Sequence, residues 1–278
     1  MTPLLKAALY LGAVLLLGAG VFRHVGPKLA PAMARTLRRG TLVGTILLLG
    51  ASLADVTWTV TQLLGRWDAA FVWEYTLYTR HGRLALVRIA LVTTLLVLSL
   101  RPRAMRPWLF SLTSLGILVT LSFLSHAAVM HGAPAFLADV LHFTAATLWG
   151  GAVLYAALSP AWEHEPASAE LMALMARVSS LGLGCVLLLA ATGVYASLLH
   201  LSHSAKLTTT PYGLALMLKL ALVGTVLAVA ALNRWWLLPA LKRGKTRRLG
   251  QLLKLEAILL LTVFAATGIL TTRPLPHT

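Results

Sequence analysis

The sequence of 278 residues contains one cysteine and only 8 acidic residues, and just 12% of its residues carry charge. A lone cysteine, Cys185, makes no internal disulfide, no paired-thiol redox motif and no thiolate cage, so any metal chemistry falls to His, Met, Asp and Glu. So little charge excludes an ordinary soluble domain, in which about a quarter of residues are charged. No polar stretch is long enough for a separate soluble domain, and no motif recurs at a fixed period. Nucleotide-binding loops are missing as well. Gly244-Lys245-Thr246 has the end of a phosphate-cradling loop, but Pro239 stands where its first glycine belongs. Gly182-Leu183-Gly184 lies in an apolar run with no strand before it, so it is not a dinucleotide turn. Direct use of ATP or NAD is left without a site.

What is present is apolar sequence, 58% of the residues, in runs near 4–22, 41–62, 83–100, 108–130, 136–158, 172–198, 212–237 and 251–271. A helix crosses a bilayer in about 20 mainly apolar residues, and these runs lack the period-2 alternation of a membrane barrel strand. Most prolines fall between the runs or at their ends, because a proline inside a helix removes a backbone hydrogen bond that lipid cannot replace. The apolar core of the first run is longer than that of a signal peptide and is followed by five basic residues, so it reads as a span.

Basic residues outnumber acidic ones by 24 to 8, a formal net charge of +16. In a soluble protein that excess would point to nucleic acid; between apolar runs it reads as topology, and no nucleic-acid partner is expected. The connections after spans 1, 3, 5 and 7 hold fourteen Lys and Arg against six on the other side. By the positive-inside rule both termini lie outside, in the periplasm of a bacterium. The expected fold is an all-α polytopic membrane bundle of about eight transmembrane helices. Residues 1–278 form a single transmembrane domain in the inner membrane, with the lipid bilayer as its first partner.

Of the nine histidines, His81, His126, His131, His142, His200, His203 and His277 fall toward the outer side, and His24 and His164 toward the inner. Spans 4 and 5 form a hairpin with Ser125, His126, Met130 and His131 before its turn and Asp139 and His142 after it. Pro134 is midway between His126 and His142, so the two imidazoles lie at similar depth, roughly 10 to 12 Å along the helix axis from the turn. Asp139 and His142, at i and i+3, share a helix face. Imidazole with thioether suits copper, whereas so few oxygen donors disfavour Mg²⁺ or Ca²⁺. The plainer alternative is that His126 and His142 are polar glue between helices.

Asp55, Arg88, Lys219 and Glu256 stand inside spans, where an ionisable group is costly unless paired or hydrated; they are candidates for an ion pathway or for pairing, and a structural role that holds the bundle together is the one expected. Lys254 and Arg177 are expected to snorkel. Trp149-Gly150-Gly151 reads as a tight helix contact, and Met172 and Met175 as core packing rather than an exit relay for an ion.

In order and spacing, Ser125-His126-Ala127, Asp139-x-x-His142, Trp149-Gly150-Gly151, Arg177-Val178-Ser179, Thr192-Gly193, Thr210-Pro211-Tyr212-Gly213, Lys219 and Glu256 resemble the copper-resistance protein D membrane family. The likeness is close over about residues 108–275 and loose over the first three spans. It implies an eight-helix inner-membrane protein that handles periplasmic copper, served by a small carrier of the CopC type. Neither end of the chain has room for such a carrier, so it is expected as a separate protein. Two functions follow. In the first, a copper permease and not an enzyme, His81, His200, His203, Met130 and His131 collect the ion and His126 and His142, with Asp139 beside them, pass it inward. In the second, His126 and His142 are axial ligands of a b-type haem in an electron-transfer protein.

Overall fold

The computed structural model describes residues 2–25, 31–100, 107–123, 132–159, 162, 169–200, 211–237, 239 and 246–270. Among them every regular element is helical: α1 (Pro3–Val25), α2 (Pro31–Leu64), α3 (Ala69–Tyr78), α4 (Arg80–Leu100), α5 (Pro107–Ser122), α6 (Gly132–Ala157), α7 (Ala169–His200), α8 (Pro211–Leu232) and α9 (Thr246–Leu270). Seven of these are long and apolar enough to cross a membrane. The eighth expected span is represented by α5, which at 16 residues is shorter and runs into residues outside the described set. The bundle and its spans thus match the sequence reading closely.

Four helices begin on proline, α1, α2, α5 and α8. At a first helical position the missing N–H would have had no partner in any case, and the fixed φ is already helical. Pro134 corrects the reading of the hairpin. It is the third residue of α6, not the turn, and the helix begins at Gly132, whose φ of 74° favours glycine. His142 therefore lies roughly 15 Å along α6 from its start.

The helix α1 is central, its two faces feeding separate cores. Tyr10, Val14 and Phe22 pack with residues of α6, α7 and α9, while Leu9, Ala13, Leu16 and Leu17 pack with α2, α4 and α5. Apolar side chains gain little by leaving lipid for protein, so close backbone approach and van der Waals contact hold such helices together. Gly18 and Gly151 meet where α1 crosses α6, and a Cβ on Gly18 would stand 2.6 Å from the Gly151 Cα. The Tyr155 hydroxyl donates to the Leu15 carbonyl at 2.8 Å in the same crossing. The expectation of a tight contact at Trp149-Gly150-Gly151 holds. Gly18→Val should lower the thermal stability of purified protein by about 1–3 kcal/mol or more, the cost of overpacking against backbone that cannot turn aside. An unchanged melting temperature would show that the crossing is looser.

Chain directions place the helix ends. Phe110, near the start of α5, covers Gly20, near the end of α1; Gly268, near the end of α9, packs on Pro3 and Ala7 at the start of α1. The rings of Phe123 and Phe136 stack at 4.3 Å, bringing the end of α5 to the start of α6. One end of the bundle thus gathers the starts of α1, α4, α6 and α8 and the ends of α2, α5, α7 and α9.

Candidate functional site

Seven ionisable side chains of the helices lie near that end, within about ten residues of it on their respective helices, or roughly 15 Å. Lys6 comes from α1, Asp55 from α2, His81 and Arg88 from α4, Asp139 and His142 from α6, and Lys219 from α8.

The first part of the cluster is built by the corner between α3 and α4. Asp68 caps α3, accepting from the Phe71 N–H at 3.1 Å. Thr79 ends it, donating its hydroxyl to the Tyr75 carbonyl at 2.7 Å and accepting from the Gly82 N–H at 3.0 Å, which starts α4. A side chain at residue 82 would run into the backbone of Tyr75 and Thr76, so this corner requires glycine. It sets His81 over α2, where His81 Nε2 lies 2.8 Å from Asp55 Oδ2 and His81 Nδ1 lies 3.1 Å from the Tyr75 hydroxyl. Burial foremost, with the charge of Asp55 adding and a hydrogen bond to Thr79 opposing, pushes the Tyr75 phenol above its ordinary value. The phenol therefore stays a donor to Nδ1, and Nε2–H donates to the carboxylate. Both nitrogens of His81 are engaged, so it can ligate a metal only by releasing one partner.

Deeper on α4, Arg88 is fully buried and its Nε donates to Ser52 Oγ at 2.8 Å. Its two terminal nitrogens and Asp55 Oδ1 have no hydrogen-bond partner among the described residues. Arg88 and Asp55 lie within electrostatic reach of one another, as do Lys6 with Asp139 and Asp55 and Lys219 with Asp139 and His142. Three bases thus face two carboxylates across α1, α2, α4, α6 and α8. Asp55 thus pairs directly with His81, whereas Arg88 bonds Ser52 and meets Asp55 only at longer range.

His142, like His81, has a defined orientation. Its Nδ1 lies 2.9 Å from Thr192 Oγ1 on α7. The hydroxyl of Thr192 also lies 2.7 Å from the Leu188 carbonyl and 3.3 Å from that of Leu189. With its proton donated to Leu188, Thr192 accepts from Nδ1–H, an arrangement that leaves a lone pair on Nε2. Metal-binding histidines are oriented in this way by a partner on the other ring nitrogen. Gly193 follows Thr192 and lies beside the His142 ring. Thr192 was visible in the sequence only as part of a short motif; its role needed the distance.

Of the other predicted ligands, Asp139 is half-buried one turn before His142. His200 ends α7, its side chain outside the described residues. His126, Met130, His131 and His203 lie outside the described residues, and with them the pairing of His126 with His142. Among the described residues no three of His, Cys, Asp and Glu come together as a metal site.

At the opposite end, Asn233 Nδ2 donates to Glu256 Oε2 at 2.6 Å, and Arg234 Nη1 donates to the carbonyl and hydroxyl of Ser179 at 3.1 and 2.7 Å. Glu256 is thus paired, as expected of it. Met175 is buried and Met172 packs against the same core, in line with the packing reading of both.

Fold and site together define a polytopic helical membrane protein with buried charge at one end and, there, an imidazole within hydrogen-bond distance of a threonine hydroxyl. Two family models match the chain: Copper resistance protein D over residues 172–270, and Copper resistance protein D-like, N-terminal domain, over residues 1–136. The chain belongs to the copper-resistance protein D family and is a multi-pass inner-membrane protein. It is similar to the inner membrane protein YebZ of Escherichia coli (strain K12), 30% identical over 185 residues, which are 63% of this chain and 61% of that protein. The chain therefore spans about three fifths of that relative's length. No solved structure matches it. The haem alternative finds no support in these families.

Proposed function

We propose that this protein is a copper permease that carries the ion from the periplasm toward the cytoplasm, with His142 as its first ligand inside the bundle. The observation that carries the reading is the Thr192–His142 hydrogen bond, which leaves the Nε2 lone pair ready for a metal. Basic residues crowd the connections at the other end of the bundle, and by the positive-inside rule this supports an outward-facing His142 end. Donor chemistry supports copper: imidazole binds either oxidation state, and Met130 and the neighbouring histidines of the connecting segment add ligands suited to Cu(I). Asp55 and Asp139 offset Lys6, Arg88 and Lys219, so the entering ion meets a largely compensated field. Passage requires weak or successive sites, so that the ion can leave again. A separate periplasmic carrier of the CopC type would deliver it.

Proteoliposomes containing the wild-type protein should accumulate copper, and those containing His142→Ala should do so at least tenfold more slowly; equal uptake would refute the route. Thr192→Val keeps the ligand and removes its orienting partner. Its copper affinity should fall by about 10–100-fold, read by competition with a colorimetric chelator. An affinity within twofold of wild type would mean that the threonine does not set the tautomer.

A further inference from the structure

A cavity of about 340 Å³ lies in the half of the bundle away from His142, walled by α6, α7, α8 and α9. That is the size of a site for a small organic molecule. Its walls are mainly aliphatic, and α7 and α8 scarcely touch, so it opens sideways between them past Leu183 and Leu227, both exposed. Arg234, bonded to Ser179, ties the two helices together below the opening. The wider π-helical turn Asn233–Leu237 that follows α8 brings Asn233 to the inner wall, a geometry often found at functional sites.

The polar part of the lining is buried and incomplete. Glu256 is 3% exposed and accepts from Asn233 Nδ2, and Trp149 lines the same wall. Asn233 is 6% exposed, and its Oδ1 has no hydrogen-bond partner among the described residues. A buried carbonyl of this kind calls for a donor. Carboxylate and amide oxygen together repel an anionic headgroup, and the mainly aliphatic walls give a charged ligand little solvation. A neutral hydroxyl fits, and the Trp149 indole offers an aromatic wall beside it.

We propose that this cavity binds a lipid-soluble aromatic diol, a quinol, which enters from the bilayer between α7 and α8, donates a hydroxyl to Asn233 Oδ1 and leaves its isoprenoid tail in the cleft. The site is separate from the copper route and does not depend on it. Full-length protein in phosphatidylglycerol nanodiscs, without copper and under argon, is titrated with decylubiquinol while tryptophan fluorescence is recorded. Saturable quenching is expected. Decylubiquinone has the same tail but only acceptors on its ring, and should bind about tenfold more weakly, the worth of one buried hydrogen bond. Asn233→Leu should erase that preference, and Ala231→Phe, which fills the cavity, should abolish binding of both, with folding of each variant checked by circular dichroism. Absence of saturable quenching, or equal affinity for the two redox forms of the probe in the wild-type protein, would overturn the proposal. So would displacement of the quinol when phosphatidylethanolamine replaces half the lipid, since the cavity would then be a phospholipid site.

Discussion

Asp55→Leu is expected to cost the protein about 3–5 kcal/mol, because it removes the buried carboxylate that holds His81 and balances the field of the buried Arg88. Arg88 is fully buried, and the nearby Asp55 carboxylate offsets it while also holding His81. Since folded domains are stable by only about 5–15 kcal/mol, the variant should lose much of its folded yield and melt well below the wild type. The double variant Asp55→Leu/Arg88→Met, which removes both charges, should recover most of the loss. Thermal melts followed by size-exclusion chromatography, run as a double-mutant cycle, measure this. If the double variant melts no higher than Asp55→Leu alone, the two groups are not coupled and the buried charge is balanced elsewhere.

The second large effect concerns binding. His142→Ala should remove stoichiometric copper from the purified protein while costing only about 1 kcal/mol of stability, because one hydrogen bond to a hydroxyl is lost. His81→Ala provides the contrast. With both ring nitrogens engaged by Asp55 and Tyr75, His81 should matter more to the melting temperature than to copper content. Reversal of that pattern, with copper lost in His81→Ala and kept in His142→Ala, would transfer the ligand role to the α3–α4 corner.

Hydropathy and proline placement were enough to read the spans, because a bilayer demands long apolar runs with unbroken backbone hydrogen bonding. The short helix Ala69–Tyr78 was legible only as a loop or interfacial segment: its 10 residues are too few to cross, and Asp68 marks its start only once the capping geometry is seen. Pro134 misled because proline fits a first helical turn as well as a loop. Site residues were legible by chemistry and not by partner. A charged residue in an apolar run announces a pairing requirement, yet nothing along the chain says that Asp55 meets His81 on α4 or that Asn233 meets Glu256 across two helices. Thr192 shows the limit most clearly. Most threonines of this bundle bond back to their own helix, such as Thr41 to Leu37 and Thr45 to Thr41, and only the added contact with His142 sets this one apart.

Whether the imidazole held by Thr192 binds copper as an ion is decided by the metal content and visible absorption spectrum of purified protein, wild type beside His126→Ala/His142→Ala. The wild type should retain copper in stoichiometric amount with no Soret band, and the double variant should retain none. A Soret band that disappears in the double variant, or copper retained equally by both proteins, would contradict copper binding at that imidazole.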